Sequence, residues 1–161
     1  MLKHIYYTLV DKNKALVRSA TCNDFRPVSI EQLKQLILSD EYRKVANHIW
    51  ERLQDYEHFM HVRKALQLVS LLFDTALENN NDLFPQYCIA NINAITTLTR
   101  YKFYDYNDND IAHIVRHDAR NMIIKLQSYE EQQEGKLNAI SIEKEINNIG
   151  EKDELKKQGE N

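Results

Sequence analysis

His58 and His61 lie three residues apart, a spacing at which two imidazoles on one helix face could bind a metal ion. Zinc sites in proteins usually need at least three protein ligands. The only nearby carboxylates that could complete such a site are Asp55 and Glu57. We therefore expect no metal at this pair and treat the two histidines as polar, titratable side chains.

His113 and His117 have the i, i+4 spacing of a zinc pair, but Ile114 and not Glu follows His113. The H-E-x-x-H motif of metalloproteases is therefore absent. Cys22 and Cys88 have no motif context, and the three glycines, at positions 135, 150 and 159, form no phosphate-binding loop. These observations predict a protein that is not an enzyme and that carries no cofactor.

Charge is distributed unevenly along the chain. The net charge of −3 argues against a general nucleic-acid-binding protein. Residues 1–70 nevertheless carry 11 Lys and Arg against 8 Asp and Glu, and residues 71–161 carry 10 against 16. The N-terminal part is therefore where an anionic partner would bind. An ordinary solvated helix face explains the same excess of positive charge, and charge alone does not separate the two interpretations.

The elements that must position these residues are helices. Three glycines and two prolines in 161 residues leave few breakers. Apolar residues at helical spacing predict a central helix over 59–77, a segment over 82–98 and a last core helix over 111–126. A polar loop is expected over 104–110. We predict an all-α domain over 1–127 and a charged tail over 128–161 that is partly helical or disordered.

Two further features of the sequence bear on the compartment. The chain has no run of about 18 apolar residues, so we expect no transmembrane helix. Two widely spaced cysteines are typical of reduced thiols in the cytosol.

Five short motifs, in order, resemble the epsin N-terminal homology (ENTH) domain. They begin with residues 17–24 (VRSATCND) and 49–53 (IWERL) and continue with residues 61–68 (HVRKALQL). The last two are residues 98–105 (LTRYKFYD) and 115–120 (VRHDAR). The match is collinear and covers about residues 1–127.

This resemblance implies a right-handed superhelix of about seven to eight helices that works without catalysis. It implies binding to phosphoinositide membranes and a role in forming clathrin-coated or related vesicles. The module would be cytoplasmic and peripheral at endosomal, Golgi or plasma membranes. Clathrin or adaptor machinery and SNARE proteins are the implied protein partners.

The resemblance also assigns headgroup-binding residues. An inositol phosphate headgroup is compact and anionic, so several cations and polar donors must converge on it. The implied positions are Arg18, Asn23, Arg52, His61 and His58, with Lys3 and His4 as cationic candidates in the N-terminal segment.

Residues 1–10 could form an amphipathic N-terminal helix. Four apolar residues would share one side of it: Leu2, Ile5, Tyr6 and Leu9. That side could enter the leaflet beside a bound headgroup. Packing of the same residues on the first core helix is an equal alternative.

Two other functions stay open. A module of the same superhelical class could grip a SNARE bundle or a coat component with little lipid affinity. A helical scaffold whose resemblance is coincidental is the third possibility.

Overall fold

The chain is described from a computed structural model, which defines residues 11–22 and 30–158, with side chains described through residue 145. This part of the chain contains seven α-helices and no strand; one isolated antiparallel bridge pairs Tyr104 with Asp110. The helices are α1 (Lys12–Thr21), α2 (Ile30–Ile37), α3 (Tyr42–Leu53), α4 (Phe59–Glu78), α5 (Leu83–Ala90), α6 (Asn93–Leu98) and α7 (His113–Gln158). The all-α prediction is confirmed.

Helix α4 is the centre of the core, as its all-round apolar sequence predicts. It packs against α1, α2, α3 and α5. Ten of its twenty residues are buried: Phe59, Val62, Ala65, Leu66, Leu68, Val69, Leu72, Phe73, Thr75 and Ala76. A helix that is covered by four others buries side chains in several directions, so a single apolar stripe would not suffice.

Trp50 joins α3 to α5. Its indole Nε1 donates a hydrogen bond to the carbonyl of Asn91 at 3.1 Å. Its ring meets the rings of Phe84 and Tyr87 edge-on, with centroids 6.5 and 5.1 Å away. This contact combines apolar burial with a satisfied polar group, which is how large indole side chains are usually accommodated in a core.

The segment predicted over 82–98 is two helices. The break falls between Ala90 and Asn93, where the side chain of Asn91 donates to the carbonyl of Tyr87 at 2.9 Å. At the start of α5 the side chain of Asn81 accepts from the backbone N–H of Leu83 at 3.0 Å. At the end of α5 an asparagine side chain competes for a backbone carbonyl, and at its start another accepts a backbone N–H group.

The polar loop predicted over 104–110 is confirmed. The Asp105 carboxylate accepts the backbone N–H groups of Asn107 and Asn109 at 2.8 and 2.9 Å. Asp108 has φ 61°, a left-handed conformation that aspartate tolerates better than most residues. The guanidinium of Arg116, in the first turn of α7, donates to Asp110 at 2.6 Å and closes the loop onto the helix.

The chain divides into two units, residues 1–124 and residues 125–161. The last core helix, predicted over 111–126, begins at His113 but does not end at residue 126, because α7 continues to Gln158. In the second unit, Leu137 and Ile140 are exposed. The predicted division of the chain after residue 127 stays a prediction.

Candidate functional site

Four polar residues gather where α3 ends and α4 begins, and we call them the Asp55 cluster: Arg52, Asp55, His58 and His61. Arg52 lies in the last turn of α3, and Asp55 lies in the turn that follows. His58 is the N-cap residue of α4, and His61 lies in its first turn. The hydrogen bond from the N–H of His61 to the carbonyl of His58, 2.9 Å long, holds that first turn.

The Asp55 carboxylate is the centre of the cluster. Its Oδ1 lies 2.7 Å from Nδ1 of His58, and its Oδ2 lies 2.7 Å from Nδ1 of His61. Nη1 of Arg52 approaches the same Oδ2 at 3.4 Å. The two imidazole rings are stacked, with centroids 4.8 Å apart. One acidic side chain therefore holds both histidines and the arginine in place.

Arg52 is fixed from a second side by α1. Its Nε donates to Thr21 Oγ1 at 2.9 Å, and that hydroxyl donates to the carbonyl of Val17 at 2.7 Å. The Arg52 side chain is only 18% exposed. Burial lowers the pKa of Arg52, and the positive charge of Arg18 lowers it further, whereas Asp55 acts in the opposite direction. The guanidinium remains a cation, because arginine is not deprotonated in proteins.

The pKa of Asp55 is held below its ordinary value. Burial on its own raises that pKa, but the hydrogen bonds from His58 and His61 outweigh the effect of burial. The carboxylate is therefore negatively charged at neutral pH and offsets part of the positive charge around it.

Arg18 faces the same place from α1. It lines a small groove of about 170 Å³ together with Lys14, His48, Glu51, Arg52 and Asp55. Within this groove, Nζ of Lys14 lies 3.6 Å from Glu51, and the His48 imidazole lies 2.9 Å from Asp11. Unlike Arg52, Arg18 is exposed to solvent.

The predicted headgroup residues that can be compared with the structure are thus close neighbours. Arg18 and Arg52 share the groove, and His58 and His61 contact Asp55 on its edge. The other predicted residues lie outside the described part of the chain: Lys3, His4 and Asn23, and the membrane-facing Leu2, Ile5, Tyr6 and Leu9. The assignment of all these residues to a headgroup site stays a prediction.

Two members of the site were missed in the sequence. Asp55 was considered only as a metal ligand, although its position three residues after Arg52 and three before His58 places it between them. Thr21 gave no signal, because only the packing of α1 against α3 brings its hydroxyl to Arg52.

Two further features lie outside the Asp55 cluster. The second histidine pair is engaged separately: His113 contacts the carbonyl of Asp110 at 2.8 Å, and His117 contacts Asn121 at 3.0 Å. In the part of the chain that the structure describes, no helix is both long and apolar enough to cross a membrane.

Comparison with known proteins identifies the fold. The sequence pattern of the ENTH domain matches residues 10–132. Rat epsin-1 is 27% identical over 137 residues, which cover 81% of this chain, and mouse epsin-2 is 31% identical over 121 residues, which cover 71%. The chain accounts for less than a quarter of these relatives, 23% of epsin-1 and 19% of epsin-2.

Solved structures agree with the sequence comparison. The ENTH domain of yeast Ent2 superposes with a TM-score of 0.66 at 25% identity, over 78% of this chain and 96% of that domain. The ENTH domain of epsin-2, solved in complex with phosphatidylinositol 4,5-bisphosphate, superposes with a TM-score of 0.63 at 25% identity, over 78% and 89% of the two chains. The predicted superhelical fold class is confirmed, and the chain belongs to the ENTH domain family.

Proposed function

We propose that this chain is a phosphoinositide-binding adaptor module of vesicle formation and that Arg18, Arg52, His58 and His61 bind the lipid headgroup. The observation that supports this most strongly is the meeting of these four residues where α1, α3 and α4 pack together. Three separate helices contribute to the site, so it depends on the folded domain and not on one basic segment.

The chemistry of the site suits a phosphate-rich ligand. Arginine binds phosphate through parallel, charge-assisted N–H bonds, and Arg52 is already oriented by Thr21. His58 and His61 stand at the N-terminus of α4, where the helix dipole favours an anion. A phosphate that enters here would replace Asp55 as the partner of these three side chains, so binding exchanges one anion for another.

The relatives support a lipid ligand. The epsin-2 ENTH domain was solved with phosphatidylinositol 4,5-bisphosphate, and this chain shares its fold at 25% identity. By extension we propose peripheral, cytoplasmic attachment at endosomal, Golgi or plasma membranes, with clathrin, adaptor or SNARE proteins as partners. Lys3, His4 and Asn23 would complete the headgroup site. Leu2, Ile5, Tyr6 and Leu9 would form one apolar side that either enters the leaflet or packs on the domain.

Liposome sedimentation tests the headgroup site, and Arg18 is the residue to change. Arg18 is exposed, so Arg18→Glu should leave the fold intact. Arg52 is less suitable, because its hydrogen bond to Thr21 also contributes to the packing of α3 on α1. A lost charged hydrogen bond is worth about 1.5–3 kcal/mol, so Arg18→Glu should weaken binding to phosphatidylinositol 4,5-bisphosphate liposomes by about tenfold or more. Arg120→Glu, an equal charge change at an exposed position of α7, is the matched control.

The outcomes separate the alternatives. Loss of sedimentation in Arg18→Glu alone supports the assigned site. If both variants sediment as the unmodified chain does, Arg18 does not belong to the headgroup site. If the unmodified chain binds phosphoinositide liposomes no better than neutral ones, the proposal fails, and a module that grips a SNARE or coat protein becomes the better interpretation.

A further inference from the structure

Asp55, His58 and His61 have the donor set of a metal site. Each offers one ligand atom, and these atoms all lie within 4.8 Å of one another. The three residues follow one another at intervals of three across a single turn and the start of α4. Their side chains are 28%, 53% and 15% exposed, so an ion could reach them from solvent without opening the core.

The ligand types select a class of metal. Two imidazole nitrogens and one carboxylate oxygen suit zinc and the divalent ions of copper and nickel, whereas calcium and magnesium prefer oxygen ligands throughout. Zinc sites with three protein ligands hold a water molecule in the fourth position of the tetrahedron. We propose that Asp55, His58 and His61 form a binding site for a divalent transition-metal ion of the zinc class.

Metal binding requires the three side chains to adjust. Ligand bonds of about 2.0–2.2 Å in a tetrahedron place the ligand atoms roughly 3.3 Å apart. Asp55 contacts each histidine at 2.7 Å with a different oxygen, and the three ligand atoms lie within 4.8 Å of one another. The carboxylate must therefore withdraw from one histidine by about half an ångström, and the other histidine must close on the ion. Asp55 lies in a turn outside α3 and α4, which leaves its side chain room for that movement.

Two neighbouring charges act against the metal and limit its affinity. Nη1 of Arg52 lies 3.0 Å from Nδ1 of His61, so the guanidinium must turn away while its Nε stays on Thr21. The N-terminus of α4 also repels a cation. We therefore expect affinity in the micromolar range and not the tight binding of a structural zinc site.

This proposal revises the expectation that the histidine pair binds no metal. Asp55, one of two carboxylates that the sequence offered as a third ligand, is the one that contacts both histidines. The metal site shares His58 and His61 with the proposed headgroup site, but zinc binding can be tested on the chain alone without any headgroup.

The experiment is a zinc titration of the full chain in competition with a chromogenic chelator, repeated with cobalt(II) and followed by absorption. The unmodified chain should bind one zinc ion, and His58→Gln and His61→Gln should each weaken binding by at least tenfold. Because His58 is half exposed, His58→Gln keeps the test decisive even if His61→Gln unfolds the domain.

Two other histidines provide controls. His48 also contacts two carboxylates, at 2.9 Å from Asp11 and 3.5 Å from Glu51, and His117 belongs to the second histidine pair. His48→Gln and His117→Gln should bind zinc as the unmodified chain does. Failure to bind zinc, retention of full affinity in His58→Gln, or an equal loss in either control would overturn the site.

Discussion

Thr21→Val tests whether the hydroxyl of Thr21 fixes Arg52. Threonine and valine have nearly the same shape, so the substitution removes the hydroxyl and leaves the packing of α1 almost unchanged. Thr21 is fully buried, and its Oγ1 accepts from Arg52 at 2.9 Å while it donates to Val17 at 2.7 Å. After the substitution, Nε of Arg52 points at a methyl group.

The magnitude follows from that lost acceptor. A polar group left without a partner inside a protein costs about 1–3 kcal/mol. The Arg52 side chain is 18% exposed and can recover part of this through water, so we expect Thr21→Val to lower the free energy of unfolding by about 1–2 kcal/mol. Thr21→Ser keeps the hydroxyl and loses one methyl group, which costs about 0.8 kcal/mol.

Urea denaturation of both variants, followed by circular dichroism, measures the difference. The expected order places the valine variant below the serine variant. A double-mutant cycle with Arg52→Met should give a coupling free energy near 1 kcal/mol, because the two residues share one hydrogen bond. A valine variant as stable as the serine variant, together with a coupling free energy near zero, would refute the claim that Thr21 positions Arg52.

Two further predictions concern the core and its surroundings. Trp50→Phe removes the indole hydrogen bond to Asn91 and leaves unfilled space, so the free energy of unfolding should fall by about 2 kcal/mol. Unfolding must be measured by circular dichroism, because the substitution removes the one tryptophan of the chain. Unchanged stability would contradict the role of Trp50. Burial raises the pKa of Tyr101 from 10.0 to about 12, so its contribution to stability is complete below pH 10 and is lost as pH rises towards 12. Urea midpoints across this range should fall less steeply for Tyr101→Phe than for the unmodified chain, and equal slopes would show that Tyr101 ionises alike in both states.

The elements that could be predicted are those whose sequence is compatible with only one position in the fold. The run over 59–77 is apolar on every side, so only a helix at the centre of several others can bury it, and α4 is that helix. The end of α7 could not be predicted in the same way. After residue 127 the apolar pattern fades, but glutamate, lysine and glutamine are good helix formers, and the helix continues to Gln158.

The candidate site divides along a similar line. The resemblance to the ENTH domain named Arg18, Arg52, His58 and His61 as headgroup residues. It did not name Asp55, which was considered only as a possible metal ligand. Its contacts at 2.7 Å depend on the backbone of the turn between α3 and α4, which no periodicity describes.

Arg18 and Arg52 have the same role in the sequence-based prediction, but their surroundings in the fold differ. Arg52 is largely buried, bonded to Thr21 and partly neutralised by Asp55, so much of its interaction energy already stabilises the folded chain. Arg18 is exposed and lines the same groove, where Lys14 lies near Glu51. In the proposed headgroup site, an arriving phosphate would have to displace Asp55 to bind Arg52, whereas it would meet Arg18 directly from solvent. The proposal therefore assigns the first encounter with the anion to Arg18, and it assigns the fit of the bound headgroup to the exchange of Asp55 for phosphate at Arg52.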